Sequence, residues 1–438
     1  MKTPSTYLAG IAVLLSVSAA TAEGRDNSTK HIQAPITSFD RVVEPKRGAT
    51  TLELAARQGR RQGRLEAAFG GESYRPGDLA ALRIWGSPRR VAVQIFRTGP
   101  ERARTRGNDN MQGIAVSSAM VHADGRRLAV RVGNWPTGMY FTRIRGGGQV
   151  AYAPFVVRPR RLGEHRIAVV MPTLTWQAYN FRDDDRDGDA DTWYAGDRSG
   201  RTVRLGRPYL NRGVPLRFRS YDLPFLHWLA WTNRKVDYLA QIDLERAGGT
   251  RLKRAYDLIV FPGHHEYVTD AEFDAVARFR DLGGNLVFLS ANNFFWKVER
   301  RGNVLHKIAM WRDIGRPEAA LVGVQYVTYG SELRGPYVVR NAEAAPWLFR
   351  SSGLRNGSRF GTFGIEIDRR TAASPRGTVV LAQIENGHGP STAGQMAYYE
   401  TSRGAKVFAA GAFTLAGSAT RSYGMRLLDS LWLHLSRR

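Results

Sequence analysis

The stretch Asp257–Asp270, DLIVFPGHHEYVTD, constrains the fold more than any other part of the chain. Its apolar run Leu258–Phe261 reads as a fully buried strand. Pro262-Gly263 breaks the run and delivers His264, His265, Glu266 and Tyr267 in consecutive positions. Thr269 followed by Glu272 is a capping-box start for a helix. That helix is amphipathic through Phe273, Val276 and Phe279 and ends at Gly283-Gly284. A second apolar strand, Asn285–Ser290, comes next and ends in Ala291-Asn292-Asn293. A βαβ unit of this kind makes the strands parallel and the crossover right-handed. Ligands of open parallel sheets bind beyond the carboxyl ends of the strands. His264, Glu266 and Asn292 all fall on that edge. Consecutive residues cannot all face one site, so His265 and Tyr267 are expected to support the loop or face away.

The unit belongs to an α/β domain spanning 163–438. Arg166–Met171 reads as a buried strand ended by Pro172, and it runs into TLTWQAYN. Trp176 and Tyr179 are thereby brought to the same edge, where ordinary packing at the sheet rim is the competing reading. Phe225–Trp231 reads as a helix after Pro224, and Val236–Leu239 as a short strand. Beyond Phe294 the pattern is mixed and rich in turns. Met396–Glu400 and Ala405–Ala410 form a hairpin around Arg403-Gly404, and Met425–Leu435 a closing amphipathic helix. Alternating strands and helices predict a mostly parallel sheet. Upstream, residues 62–157 read as a β-sandwich of short strands separated by turn signals. These strands are Ala80–Trp85, Val91–Phe96, Leu128–Val132, Gly138–Ile144 and Ala153–Val157. Leu128–Val132 follows Asp124-Gly125, a hairpin signal. Gly146-Gly147-Gly148 reads as a hairpin turn rather than a dinucleotide loop. Tyr140 and Thr142 lie on the strand face opposite Met139 and Phe141.

Residues 1–22 carry Lys2, an apolar run from Leu8 to Ala20 and the triplet Ala20-Thr21-Ala22, the pattern of a signal peptide. The expected location is therefore secreted or periplasmic. Residues 23–61 read as a linker or extended arm. No later stretch approaches the ~20 apolar residues of a membrane span. The chain has no cysteine, which excludes thiolate nucleophiles and cysteine-ligated metals. Its 64 basic residues exceed 39 acidic ones, for a formal charge of +25. The excess is spread along the chain with only small clusters, and no nucleic-acid motif accompanies it, so nucleic acid is not an expected partner. There is no nucleophile elbow and no HExxH.

Asp183, Asp185, Asp187, Asp189 and Asp191 alternate around Gly188. Such a run supplies the oxygen-rich cage that calcium takes. An EF-hand would end in a bidentate Glu, and Tyr194 stands at that place. Calcium in a loop of another kind is favoured over a solvated acidic loop, in a role that shapes the segment after Tyr179.

A set of motifs points further. TWQAYN at 175–180, RPY at 207–209, YDLPFLHWL at 221–229, VDY at 236–238, PGHHEY at 262–267 and LSANNFFW at 289–296 resemble the N,N-dimethylformamidase large-subunit family. MAYYE at 396–400, WPTGMY and YAPFVVRP extend the resemblance over roughly 130–438. It implies a glutamine amidotransferase-like α/β domain lacking the Cys nucleophile. It also implies a mononuclear ferric iron held by two tyrosines and a glutamate, which map to Tyr140, Tyr179 and Glu266. His264 and Asn292 would stand beside the metal, with Glu400 as acid or base. Phenolates and a carboxylate are hard anionic ligands suited to ferric iron. Tyr140, arriving from the sandwich, would complete a site made mainly by the α/β domain. The implied activity is hydrolysis of a C–N amide bond in a small-molecule substrate. The expected partners are that substrate and a second copy of the chain. The rival reading is a non-catalytic or carbohydrate-binding envelope protein that keeps the fold.

Overall fold

The computed structural model describes residues 64–436 apart from 87–88, 124–125, 186, 188, 195–199 and 386–391. The expected signal peptide and the whole of the expected arm lie outside the described residues. No helix among the described residues is long and apolar enough to cross a membrane.

The chain is mixed α/β. Its first strands form two sheets facing one core. Three strands, Glu66–Phe69, Leu79–Trp85 and Arg127–Arg131, make one sheet. The other is built around Arg90–Arg97, Gly138–Gly146 and Gln149–Val157. Alternation places Ala80, Leu82 and Ile84 of the first sheet against Val91, Val93, Ile95, Tyr140 and Phe155 of the second. Gly147 and Gly148, both at positive φ, turn the hairpin between the last two strands, as expected. The turn expected at Asp124-Gly125 lies outside the described residues. Of the strands on either side, Met120–Ala123 pairs with Arg90–Arg97 and Arg127–Arg131 with Leu79–Trp85, in different sheets.

A nine-stranded sheet follows. In spatial order its strands are Asp237–Ala240, Ile167–Met171, Leu258–Phe261, Asn285–Phe288, Lys406–Ala409, Gly394–Glu400, Val379–Ile384, Gln325–Val339 and Arg359–Arg369. The first five are parallel and the rest antiparallel, so four of the eight pairings are of each kind. The mostly parallel sheet is thus corrected to a mixed one. The missing strands are those between 325 and 384. Register shifts at Tyr326/Thr328, Gly330/Gly335 and Gly335/Tyr337 interrupt the alternation that would have announced them. The helix Gln241–Ala255 was also hidden, because Gly248 sits inside it at φ 68 and breaks the apolar period.

The predicted βαβ unit is present. Leu258 pairs in parallel with Asn285 and Phe261 with Phe288. Thr269 caps the helix Asp270–Asp281 by accepting from the Glu272 N–H. Gly283 closes it at φ 84, where a Cβ would meet the Arg403 carbonyl at 2.8 Å. Successive residues of each parallel strand feed opposite layers. Val169, Val260, Val287 and Phe408 face a core shared with the helices Leu223–Trp231 and Ser422–Leu435. Val170, Ile259, Phe261 and Phe288 face Gln241–Ala255 and Asp270–Asp281. Each such side chain contributes roughly 1.5–3 kcal/mol by leaving water. The central strands are therefore fixed from both sides, and the loops at their carboxyl ends start from a rigid base. One of these loops continues directly into a small four-stranded sheet, in which Tyr267–Thr269 pairs with Trp296–Val298.

Candidate functional site

Gly263 sets the direction of the loop after Leu258–Phe261. A Cβ there would lie 2.7 Å from Asp222 Oδ1 and 2.9 Å from Pro172 Cγ. His264, His265 and Glu266 are all buried, yet they point to different places. The His265 ring packs edge-on against Phe261, with Nδ1 3.1 Å from the Gly263 carbonyl. Burial pushes its pKa down to about 3, so it is a neutral core residue. His264 and Glu266 turn to the other side, where the Tyr179 hydroxyl donates to Glu266 Oε2. His264 Nε2 stands 3.4 Å from the same oxygen. Tyr179 arrives as the C-terminal cap of the short helix Thr173–Ala178, and Thr175 Oγ1 of that helix accepts the Glu266 N–H at 3.1 Å.

Two further carboxylates enter from the strand Arg359–Arg369. Glu366 Oε2 lies 3.1 Å from His264 Nε2. Asp368 accepts the Asn292 N–H at 2.8 Å and so holds the loop after Asn285–Phe288. Ile365, immediately before Glu366, has φ 78, a left-handed conformation that a β-branched residue rarely adopts. Such a backbone costs about 1–3 kcal/mol and persists where surrounding structure over-determines it. Here it aims Glu366 inward.

The electrostatics follow from burial. Desolvation raises Glu266 to about 7, opposed by His264 and assisted by Glu366. Burial acts to lower His264, but Glu366, Glu266 and Asp368 together outweigh it and raise its pKa. Asp222, accepting a hydrogen bond from Trp176, is pushed up to about 8 by burial. Asp368 is likewise raised to about 8. Tyr179 is raised well above the usual phenol value, first by burial and then by Glu266, so it is a neutral donor. Four buried polar atoms here find no hydrogen-bond partner among the described residues: His264 Nε2, Glu366 Oε2, Asn292 Oδ1 and Asp222 Oδ1. His264 Nε2 and Glu366 Oε2 are within ion-pair reach but are not aligned for a hydrogen bond. Orphaned atoms of this sort are rare in folded proteins, and several around one spot mark a place built for a ligand. A cavity of about 30 Å³ borders His264 and Asp222, lined also by Trp176, Tyr179, Tyr221 and Phe413. That volume holds a water or two and no more.

Of the residues expected in the site, Tyr179, Glu266, His264 and Asn292 come together. Tyr140 does not join them. It is buried in the sandwich core, its ring stacked on Trp135 and its hydroxyl donating to the Pro136 carbonyl at 2.7 Å. Glu400 is also elsewhere. It is exposed and pairs in register with Lys406, the first residue of a strand parallel to Asn285–Phe288. That places it at the amino-terminal edge of the parallel strands, opposite the site. Tyr267 corrects the expectation in the other direction, since its ring packs 5.9 Å from Tyr179 and its hydroxyl faces Glu266. Glu366, Asp368 and Asp222 were missed. The alternation Phe363, Ile365, Ile367 against Glu366, Asp368 was available as a signal, but it lay in the region read as turns.

In the acidic run, the carboxylates of Asp183, Asp185 and Asp187 approach within 4.8 Å of one another. Asp191 turns instead to the Asp184 N–H at 2.6 Å, and the Asp189 N–H donates to Asp187 at 2.8 Å. The buried Arg207 ties the loop down, reaching Asp184 at 3.2 Å and the carbonyls of Gln177 and Asp191 at 2.7 and 2.6 Å.

The fold and site define a mixed α/β protein with a buried Tyr–Glu–His cluster at the carboxyl edge of its parallel strands. A family model described as N,N-dimethylformamidase beta subunit-like, C-terminal, matches residues 110–424. The chain belongs to that family. It is 29% identical over 196 residues to the N,N-dimethylformamidase beta subunit of Paracoccus aminophilus, covering 36% of this chain and 26% of that one. The chain thus matches only about a quarter of that relative's length. A solved cycloisomaltooligosaccharide glucanotransferase from Paenibacillus sp. is similar at 12% identity over 40% of this chain and 27% of its own. Its TM-score of 0.15 relates neither fold nor function.

Proposed function

We propose that this protein hydrolyses the C–N bond of a small amide, using the cluster of Tyr179, Glu266, His264 and Glu366. The observation that carries this reading is the set of unpartnered buried atoms on His264, Glu366 and Asn292 around the Tyr179–Glu266 pair. Membership of the dimethylformamidase-like family supports it at the level of reaction class.

Ferric iron is part of the proposal. Tyr179 and Glu266 are the donors that would hold it, and their hard oxygens suit that ion. Tyr140 is left out of the set, because its hydroxyl is committed to Pro136. When bound, the metal supplies Lewis-acid polarisation of the amide carbonyl. The protein groups supply the proton chemistry. Glu366, whose Oε2 has no aligned hydrogen bond, accepts a proton from the attacking water. His264, held protonated by its carboxylate neighbours, delivers a proton from Nε2 to the departing amine. The Asn292 side-chain amide donates to the oxyanion that develops on the carbonyl oxygen. Tyr267 orients Glu266. Export directed by residues 1–22, a structural calcium at Asp183, Asp185 and Asp187, and a glutamine amidotransferase-like ancestry for the α/β portion complete the reading.

An activity screen tests it. Iron-loaded protein should release amine from at least one formamide or other small amide, and Glu366→Gln should slow the release by about 10²–10⁴. Absence of turnover across such a panel, with iron bound, would favour a non-catalytic role.

A further inference from the structure

A second feature lies away from the site, where the strand Gln149–Val157 leaves the sandwich for the α/β portion. A groove of about 470 Å³ there is bordered by Arg75, Arg158, Arg160, Arg161, Arg251 and Arg254. Ligand pockets begin at about 300 Å³, so its size admits a ligand of several heavy atoms. The arginines come from three separate parts of the chain. Arg75 follows the strand Ser73–Tyr74, Arg158 to Arg161 form the connection between the two portions, and Arg251 and Arg254 belong to the helix Gln241–Ala255. Their spacing of three puts the last two on one helix face.

The groove is not neutralised from within. Arg158 pairs with Asp243 at 3.3 Å, yet its Nε has no hydrogen-bond partner. Arg160 donates to the Asn134 side chain at 3.0 Å, which leaves its charge unpaired. Arg75, Arg161, Arg251 and Arg254 have no ion-pair partner among the described residues. The other nearby carboxylates serve the backbone. Asp78 accepts the Arg75 N–H at 2.7 Å, and Glu164 accepts the N–H groups of Arg160 and Arg161 at 2.7 and 3.3 Å. Setting these three carboxylates against the six guanidiniums leaves an excess of three positive charges in one concavity. Guanidinium forks bind tetrahedral oxyanions bidentately, which is why arginine rather than lysine marks such sites.

We propose that this groove binds an oligoanion carrying two or more phosphate or sulfate groups. Such a ligand bridges the sandwich, the connection and the helix at once. Its groups could belong to a free oligophosphate or to a sulfated polysaccharide, and titration calorimetry separates the two sources. The probes are inorganic tripolyphosphate and a sulfated heparin-type hexasaccharide, each at low and high sodium chloride. Saturable binding of either probe is expected, weakening as salt rises. The variant Arg161→Gln/Arg251→Gln/Arg254→Gln should lose roughly tenfold or more in affinity, the equivalent of losing one or two charge-assisted contacts. A control, Arg83→Gln/Arg126→Gln/Arg127→Gln, removes the same formal charge from exposed positions elsewhere and should keep its affinity within about twofold. Binding of tripolyphosphate alone assigns the free source, and tighter hexasaccharide binding assigns the polymer. Equal losses in the two triple variants, or no saturable binding of either probe at low salt, would overturn the proposal. Circular dichroism confirms that both variants are folded.

Discussion

Replacing Asp222 by Asn tests the electrostatic account of the site without touching Tyr179 or Glu266. Asp222 is buried, accepts from Trp176 and is pushed up to about 8. In the unfolded chain its pKa returns to about 3.9. Between those values the folded protein keeps a proton that the unfolded chain has lost. Stability contributed by the protonated acid is complete below about pH 4 and is lost as pH rises through about 8. The slope is about 1.4 kcal/mol per pH unit, and the full span about 6 kcal/mol as an upper figure. Asn keeps the shape and an acceptor but has no proton to lose. The difference in unfolding free energy, variant minus wild type, should therefore climb with pH. Urea unfolding of the metal-free protein at half-unit steps from pH 5 to 8.5 measures it. A climb of about 1 kcal/mol or more per unit is expected. A flat difference would refute the claim that burial raises this carboxyl against the pull of Trp176 and His264.

Gly263→Ala should destabilise by about 1–3 kcal/mol and reduce amide turnover, because its Cβ would meet Asp222 and Pro172; an unchanged Tm would contradict the packing. Glu366→Gln should lower kcat by about 10²–10⁴ while leaving Tm within a few degrees, read by amine release alongside calorimetry. Calcium chelation should lower Tm, and Asp185→Asn should remove that sensitivity if the ion sits among Asp183, Asp185 and Asp187. An unchanged Tm on chelation would leave a plain acidic loop held by Arg207.

Much of the scaffold was legible because its signals are local. The run Leu258–Phe261, the Thr269 cap and Gly283 are each encoded within a few residues, and the βαβ unit forms as they require. The long strands between 325 and 369 were not legible, since their bulges break the period-two pattern. The site divides in the same way. His264, Glu266 and Tyr179 end elements with clear local signals, so their shared edge could be deduced. Glu366 reaches that edge from the far side of the mixed sheet, through a backbone turned by Ile365. No sequence spacing announces such a contact. Glu400 and Tyr140 lie away from the cluster for a complementary reason. Motif resemblance supplied them, while strand direction sends one to the opposite edge and sandwich packing encloses the other.

A ferric titration followed by visible absorption tests the central claim most directly. Wild type and Tyr140→Phe should each bind iron and develop a phenolate-to-iron charge-transfer band, whereas Tyr179→Phe should lose most of it. A band that survives in Tyr179→Phe, or disappears in Tyr140→Phe, would contradict the assignment of Tyr179 and Glu266 as the centre of the site.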